Sequence, residues 1–348
     1  MSDGLFHFPG RTFTHHSAWR IAVLRVRFTV LALLAGMALG FPGFARAAAT
    51  PSAAAANAAS LYDQAKSLFR QGSYKRAIAL LDELLLEDPH SAKGLVLRGD
   101  ARDNLGDPQG ALIDYNAAIA LNPEFEYAYA TRCATYGDLG RLKDAIGDCS
   151  KALSLDPKDT WALRTRSVAY LLSQRYARAL TDIDAALALD DTDASGYIDR
   201  CRIYRGMDRL NLALGDCNRA VALDPKSAAA SFYRGVVEIR ERNWNGASSD
   251  FESSLALDAT ETGAHYWLAY AYHRLGRQHR ALGEIAAYVR GVPDDGDGYL
   301  LRAKILMRLG RAASAKRDAA RALQRYKIAD DQSGMALATE FLNEAEKQ

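Results

Sequence analysis

The sequence predicts an all-α chain of stacked helical hairpins, an α-solenoid, and three observations carry that prediction. Pro89, Pro123, Pro157, Pro225 and Pro293 stand at multiples of 34 residues from one another, with Asp191 and Ala259 in the two empty slots. An alanine recurs at the same step, as Ala77, Ala111, Ala145, Ala179, Ala213, Ala247, Ala281 and Ala315. Within each period, two runs of apolar residues spaced three to four apart flank a position that is often glycine (Gly72, Gly106, Gly140, Gly276, Gly310). A hairpin of two short helices cannot bury its apolar face alone, so a period of this length implies units that stack on their neighbours.

Residues 1–47 read as a targeting segment. Arg20, Arg25 and Arg27 precede the apolar run Phe28 to Phe41, and Pro42-Gly43 interrupts the chain before Ala45-Arg46-Ala47, a small-x-small cleavage pattern. The 14-residue run is short for a membrane span of about 20 residues, so the expectation is a cleaved secretory signal, with an uncleaved anchor as the alternative. The Ala-rich stretch 48–57 reads as a linker. Five of the 44 basic residues and one of the 42 acidic residues lie in 1–47, which leaves 39 and 41 beyond it. So balanced a chain offers no global field for nucleic acid.

The units run 58–91, 92–125, 126–159, 160–193, 194–227, 228–261, 262–295 and 296–329. Positions 1–14 and 17–30 of each form helices about 21 Å long. Glycine at 15 suits a left-handed cap, and proline at 32 stops the second helix. Units 4 and 6 lack both, so their helices are expected to run on or to pack at other angles. After the breaker Ser333-Gly334, Met335 to Lys347 forms an amphipathic helix with Phe341 and Leu342 inward, so 330–348 is expected to cap the stack.

Tyr136, Gly140, Ala145, Ala152 and Pro157 in the third unit show the spacing most clearly, and the pattern resembles the tetratricopeptide repeat (TPR). The resemblance covers 58–329 and implies a right-handed superhelix whose inner face is built by the first helix of each unit. It also implies a protein-binding role.

Position 7, usually apolar in that family, is Arg98, Arg132, Arg166, Arg200, Arg234 and Arg302 here. Position 23 of the same units is Asp114, Asp148, Asp182, Asp216, Asp250 and Asp318. Where the arginine is lost the aspartate is lost too: unit 1 has Gln64 with Leu80, and unit 7 has Leu268 with Glu284. Positions that sum to about 31 lie level in an antiparallel hairpin, so these residues should form a ladder of ion pairs. By the same geometry the four cysteines pair as Cys133 with Cys149 and Cys201 with Cys217, at positions 8 and 24. Facing Cα atoms roughly 3.5–6 Å apart permit two disulfides, which suit an exported protein with no cysteine left over. Plain packing of small residues accounts for the same positions.

The motifs of common catalytic and phosphate-binding sites are missing, with no GxxxxGK[ST], HExxH or GxSxG. No enzyme activity, cofactor or metal is therefore expected, and His265, His273 and His279 do not make a chelating face. The inner-face positions of units 1–3 place Tyr62, Lys66, Phe69, Arg70, Asp100, Asp103, Asn104, Tyr127 and Asp138 there. In later units they place Trp161, Arg164, Arg202, Arg205, Phe232, Arg240, Tyr266, Tyr270, His273, Arg274, Lys304, Met307 and Arg308. The face thus turns from acidic to basic and aromatic, the residue types that dominate interfaces. The function expected is an adaptor of the bacterial cell envelope that holds an acidic or amphipathic segment of another protein. The alternative is a binder of anionic glycan or polymer on the same residues. The expected location is the periplasm, with secretion or inner-membrane anchoring as alternatives, and membrane contact only through an uncleaved N-terminal segment.

Overall fold

The computed structural model describes residues 53–346, so the expected targeting segment 1–47 lies outside the described residues. Among them there are seventeen helices and no strand. They fall into two compact bodies, 53–190 and 191–346. The first holds α1 (Ala53–Arg70), α2 (Tyr74–Glu87), α3 (Ala92–Asn104), α4 (Pro108–Leu121), α5 (Glu126–Asp138), α6 (Leu142–Leu155), α7 (Thr160–Leu172) and α8 (Tyr176–Leu189). The second holds α9 (Ala194–Gly206), α10 (Leu210–Leu223), α11 (Ala228–Arg240), α12 (Trp244–Leu257), α13 (Thr262–Arg274), α14 (Gln278–Gly291), α15 (Gly296–Arg308), α16 (Ala312–Ile328) and α17 (Gln332–Glu346). From α3 to α15 each odd-numbered helix begins 34 residues after the last. Each pairs with the helix that follows it, and within a body it also touches the next odd-numbered helix.

The residue before a first helix caps it in most units. The side chains of Ser91, Asp159, Asp193, Ser227 and Asp295 accept hydrogen bonds from backbone N–H groups that the first turn leaves unpaired. The stretch 48–57, expected as linker, is helical from Ala53 onward, in keeping with the high helix propensity of alanine.

The turn between the helices of a hairpin takes positive φ whether or not glycine is present. Gly140 has φ 71°, and Gln174, Asp208 and Arg242 adopt 58°, 59° and 60° at the same position. The expectation that helices of units 4 and 6 run on or repack is therefore corrected for the turn. Arg175 N–H donates to Tyr170 O at 2.8 Å and Asn243 N–H to Glu238 O at 2.9 Å, matching Arg141 N–H to Tyr136 O at 2.8 Å. This closing bond of the helix end offsets the left-handed penalty that glycine would avoid.

A second correction concerns Ser333-Gly334, which lies inside α17 and does not break a helix. The break falls at Asp330, with φ 52°. Gly334 is required for closeness: a Cβ there would stand 2.3 Å from the Tyr326 ring. Phe341 and Leu342 pack toward the core formed by Ala303, Leu306, Ala315 and Ala319.

In four of the hairpins positions 8 and 24 complement each other in volume. Gly99 faces Tyr115, where a Cβ would meet the ring at 2.6 Å, and Gly235 faces Phe251 at 3.0 Å. Cys133 and Cys149, like Cys201 and Cys217, are fully buried and linked in the structure, with Cα atoms 5.4 and 5.5 Å apart. Small beside large, or medium beside medium, fills the space between these helices at interior density.

Candidate partner-binding face

The arginine ladder is the scaffold of this face. Each of its six arginines donates from Nε and Nη2 to both oxygens of its aspartate. The distances are 3.0 and 2.6 Å for Arg98–Asp114, 2.6 and 2.8 Å for Arg132–Asp148, and 2.7 and 2.8 Å for Arg166–Asp182. They are 2.8 and 2.9 Å for Arg200–Asp216, 2.7 and 2.6 Å for Arg234–Asp250, and 2.7 and 3.0 Å for Arg302–Asp318. The hydrogen bond to the aspartate raises the pKa of Arg98, Arg166, Arg234 and Arg302 against the opposing effect of burial.

The third nitrogen does what the spacing did not suggest. Nη1 of Arg98 reaches Asp82 at 2.7 Å, that of Arg132 reaches Asn116 at 2.5 Å, that of Arg166 reaches Ser150 at 3.1 Å and that of Arg234 reaches Asn218 at 3.2 Å. These acceptors belong to position 25 of the preceding unit, so one guanidinium ties two hairpins together. In unit 7, which lacks the pair, His265 Nδ1 meets Glu284 at 2.7 Å instead. These cations are occupied in the fold.

In the body 53–190 the expected face is largely committed internally. Asp100 is buried and accepts from Tyr115 Oη at 2.8 Å and Tyr127 Oη at 3.1 Å. Trp161 is partly buried beside Tyr127, ring centroids 6.4 Å apart, and Arg164 is only 5% exposed.

In the body 191–346 the expected residues separate into two groups. Tyr266 is buried against Trp267 and Tyr288, and Phe232 packs edge-on against Phe251. Arg202 donates to the buried Asp199 at 2.9 Å and lies 5.0 Å over the Tyr233 ring, so its charge is balanced within the fold. Arg240 pairs with the exposed Asp208 at 2.7 Å, and Arg205 is half-buried. The exposed cations are Arg274 at the end of α13 and Lys304 and Arg308 on α15. His273 and Tyr270 lie half-buried beside them. Sequence reasoning missed Trp244, the first residue of α12: Arg274 sits 4.8 Å over its indole, and Tyr270 meets it edge-on at 5.9 Å. Its position in a second helix hid it, since only first-helix positions were mapped to the face.

Among the described residues no group of three or more His, Cys, Asp or Glu side chains could hold a metal ion. None of their helices is long and apolar enough to cross a membrane.

A family profile described as tetratricopeptide repeat matches residues 62–124. No curated protein matches the chain. Among solved structures, the chain is similar to the Cut9–Hcn1 hetero-tetramer of the APC/C (TM-score 0.66, 16% identity), covering 82% of this chain. The chain spans 55% of the length of that protein. It is also similar to a tetratricopeptide repeat protein of Parabacteroides merdae (TM-score 0.55, 18% identity, 74% of this chain and 99% of the other). Pseudomonas aeruginosa pilF gives TM-score 0.55 at 19% identity, over 63% of this chain and 97% of the other. At these identities the likeness concerns the fold.

Proposed function

Since this chain is a tetratricopeptide-repeat protein, we propose that it is a non-enzymatic scaffold of the bacterial cell envelope that holds an acidic segment of a partner protein. A fold of this kind supports protein–protein interaction in general. The observation that carries the finer reading is Arg274, exposed over Trp244 and beside Tyr270, together with the exposed Lys304 and Arg308, whose charges act with its own on His273 in the same body. Arginine on an aromatic platform, next to further cations, is suited to carboxylates held in paired hydrogen bonds. Arg202 and Arg240 are matched by Asp199 and Asp208 of the chain itself.

Export to the periplasm is supported by the arginine-flanked apolar run at Phe28 to Phe41 and the small-x-small pattern after it. It accords with four cysteines that join in two pairs, Cys133 with Cys149 and Cys201 with Cys217, as disulfides of an oxidising compartment.

Affinity capture from an envelope extract tests the function. The unaltered chain should retain a protein that the triple variant Arg274→Ala, Lys304→Ala, Arg308→Ala retains at least tenfold less. Equal capture by the variant overturns the assignment of the face. Recovery of an acidic saccharide without protein supports the glycan alternative in place of a protein partner. A periplasm-active reporter fused after Ala47 tests export, and an inactive fusion would count against it.

A further inference from the structure

His273 stands inside a set of like charges. Arg274 follows it on α13, Gln278 bonds it from the start of α14, and the charges of Lys304 and Arg308 reach it from α15. Burial lowers the pKa of the imidazole first, and the charges of Arg308, Lys304 and Arg274 lower it further, while the bond to Gln278 opposes the change. The geometry also selects the tautomer. Gln278 Nε2 donates to His273 O at 3.2 Å, which turns its Oε1 toward Nδ1 at 2.8 Å. Nδ1 therefore carries the hydrogen of the neutral ring, and Nε2 is the atom that takes a second proton.

This arrangement is not what the fold alone would favour. Lys304 and Arg308 are one helical turn apart, a spacing at which like charges repel. Burial lowers the pKa of Lys304, and the charges of Asp297 and Glu340 oppose that change, but Asp297 also accepts the Tyr326 hydroxyl at 2.5 Å. An anion placed among the cations would relieve their repulsion and, by the same field, make His273 easier to protonate. Binding and protonation are then linked and must reinforce each other equally.

Resting on the scaffold reading above, we propose that this cluster binds the carboxylates of an acidic peptide segment with uptake of a proton at His273 Nε2, so that capture tightens as pH falls. A peptide is favoured over a saccharide because sugar rings stack on open aromatic faces. Here Arg274 covers a face of the Trp244 indole and Tyr270 meets it edge-on.

The test uses the full chain and the peptide Ac-AEEEEA-NH2, with Ac-AQQQQA-NH2 as control, titrated calorimetrically at pH 7.5 and 5.5 in two buffers of different ionisation enthalpy. The glutamates stay mostly ionised in this window. The glutamate peptide should bind in preference to the control, at least threefold more tightly at pH 5.5, with measurable proton uptake. His273→Gln should lose the pH dependence, binding no more tightly at pH 5.5 than at pH 7.5. Lys304→Ala with Arg308→Ala should weaken binding at least tenfold at both pH values. Equal binding of the control peptide, pH dependence unchanged in His273→Gln, or tighter binding of an oligouronate overturns the proposal. If extract capture succeeds through these cations but the peptide does not bind, this inference falls and the scaffold reading stands. If both fail, both fall.

Discussion

Arg132 grips Asp148 across the α5–α6 hairpin through two parallel bonds of 2.6 and 2.8 Å, while its third nitrogen reaches back 2.5 Å to Asn116 on α4. The guanidinium also lies between the rings of Tyr129 and Tyr136, 5.6 and 5.7 Å from their centroids. A single side chain thus closes one repeat and attaches it to the one before.

Both partners of that rung are mostly buried, with side chains 15% and 13% exposed. Removing one leaves the other charge without its match, which is more damaging than loss of a surface pair. Arg132→Ala should lower stability by about 2–3 kcal/mol, and Arg132→Lys, which keeps the charge but not the paired geometry, by about half of that. Urea titration followed by far-UV circular dichroism reads the difference. A loss below 0.5 kcal/mol for the alanine variant, on the order of an exposed pair, would show the rung to be ornamental.

Glycines in this chain divide by what stands next to them, and substitution should have opposite signs at Gly99 and Gly147. A methyl group at Gly99 meets the Tyr115 ring at 2.6 Å, whereas at Gly147, inside α6, nothing lies within 4 Å. Gly99→Ala is expected to destabilise by about 1–3 kcal/mol through overpacking, and Gly147→Ala to stabilise by about 0.5–1 kcal/mol through helix propensity. Thermal melts of the two variants beside the parent decide it; shifts of the same sign would contradict the packing described.

Glu126, at the start of α5, is held as a neutral carboxyl to about pH 8, by burial first and then by the hydrogen bond and charge of Asp159 and the charge of Asp156. The folded-state pKa lies above the usual 4.5, so between these values the folded chain keeps a proton that the unfolded chain releases. Its contribution is present below that window and lost as pH rises through it. Glu126→Gln should therefore flatten the decline in stability between pH 5 and pH 8 and raise stability at pH 8 by about 1 kcal/mol, a figure discounted for partial exposure. Denaturant midpoints taken at pH 5, 6.5 and 8 check this, and parallel curves for parent and variant would refute it.

For the cysteines, the expected outcome is two intrachain disulfides in protein prepared under oxidising conditions, each closing a separation of 16 residues. Cys133→Ser with Cys149→Ser should cost about 3 kcal/mol in the chain-entropy account, and reductant should lower the parent's stability but not that of the variant lacking all four thiols. Mass mapping without reduction supplies the direct check: four free thiols would remove the basis for this prediction.

Much of the architecture is readable in the linear pattern because a repeat writes the same constraint many times. One Arg98 or one Asp114 says little, but six such pairs gained and lost together identify a contact across a hairpin. The candidate face was less legible. Arg164, Arg202, Tyr266 and Phe232 occupy the expected positions, yet Arg164 and Tyr266 are buried. Phe232 packs against Phe251, and Arg202 is matched by Asp199 one turn earlier. Whether a basic or aromatic side chain is available depends on which neighbour satisfies it, and that is not periodic.

By itself, then, the sequence determined the helix content, the 34-residue hairpin and the partners within each hairpin. These depend on local periodicity and on one antiparallel register, repeated along the chain. Only the tertiary structure decided that Gln174 and Arg242 turn as glycine does, that Nη1 of Arg132 couples adjacent repeats, and that Trp244 joins Tyr270 and Arg274. The turns are settled by a closing hydrogen bond inside each hairpin, and the other two outcomes arise where one hairpin lies on the next, through contacts set by the packing angle and the competition of each polar group for a partner, neither of which is written in a single repeat.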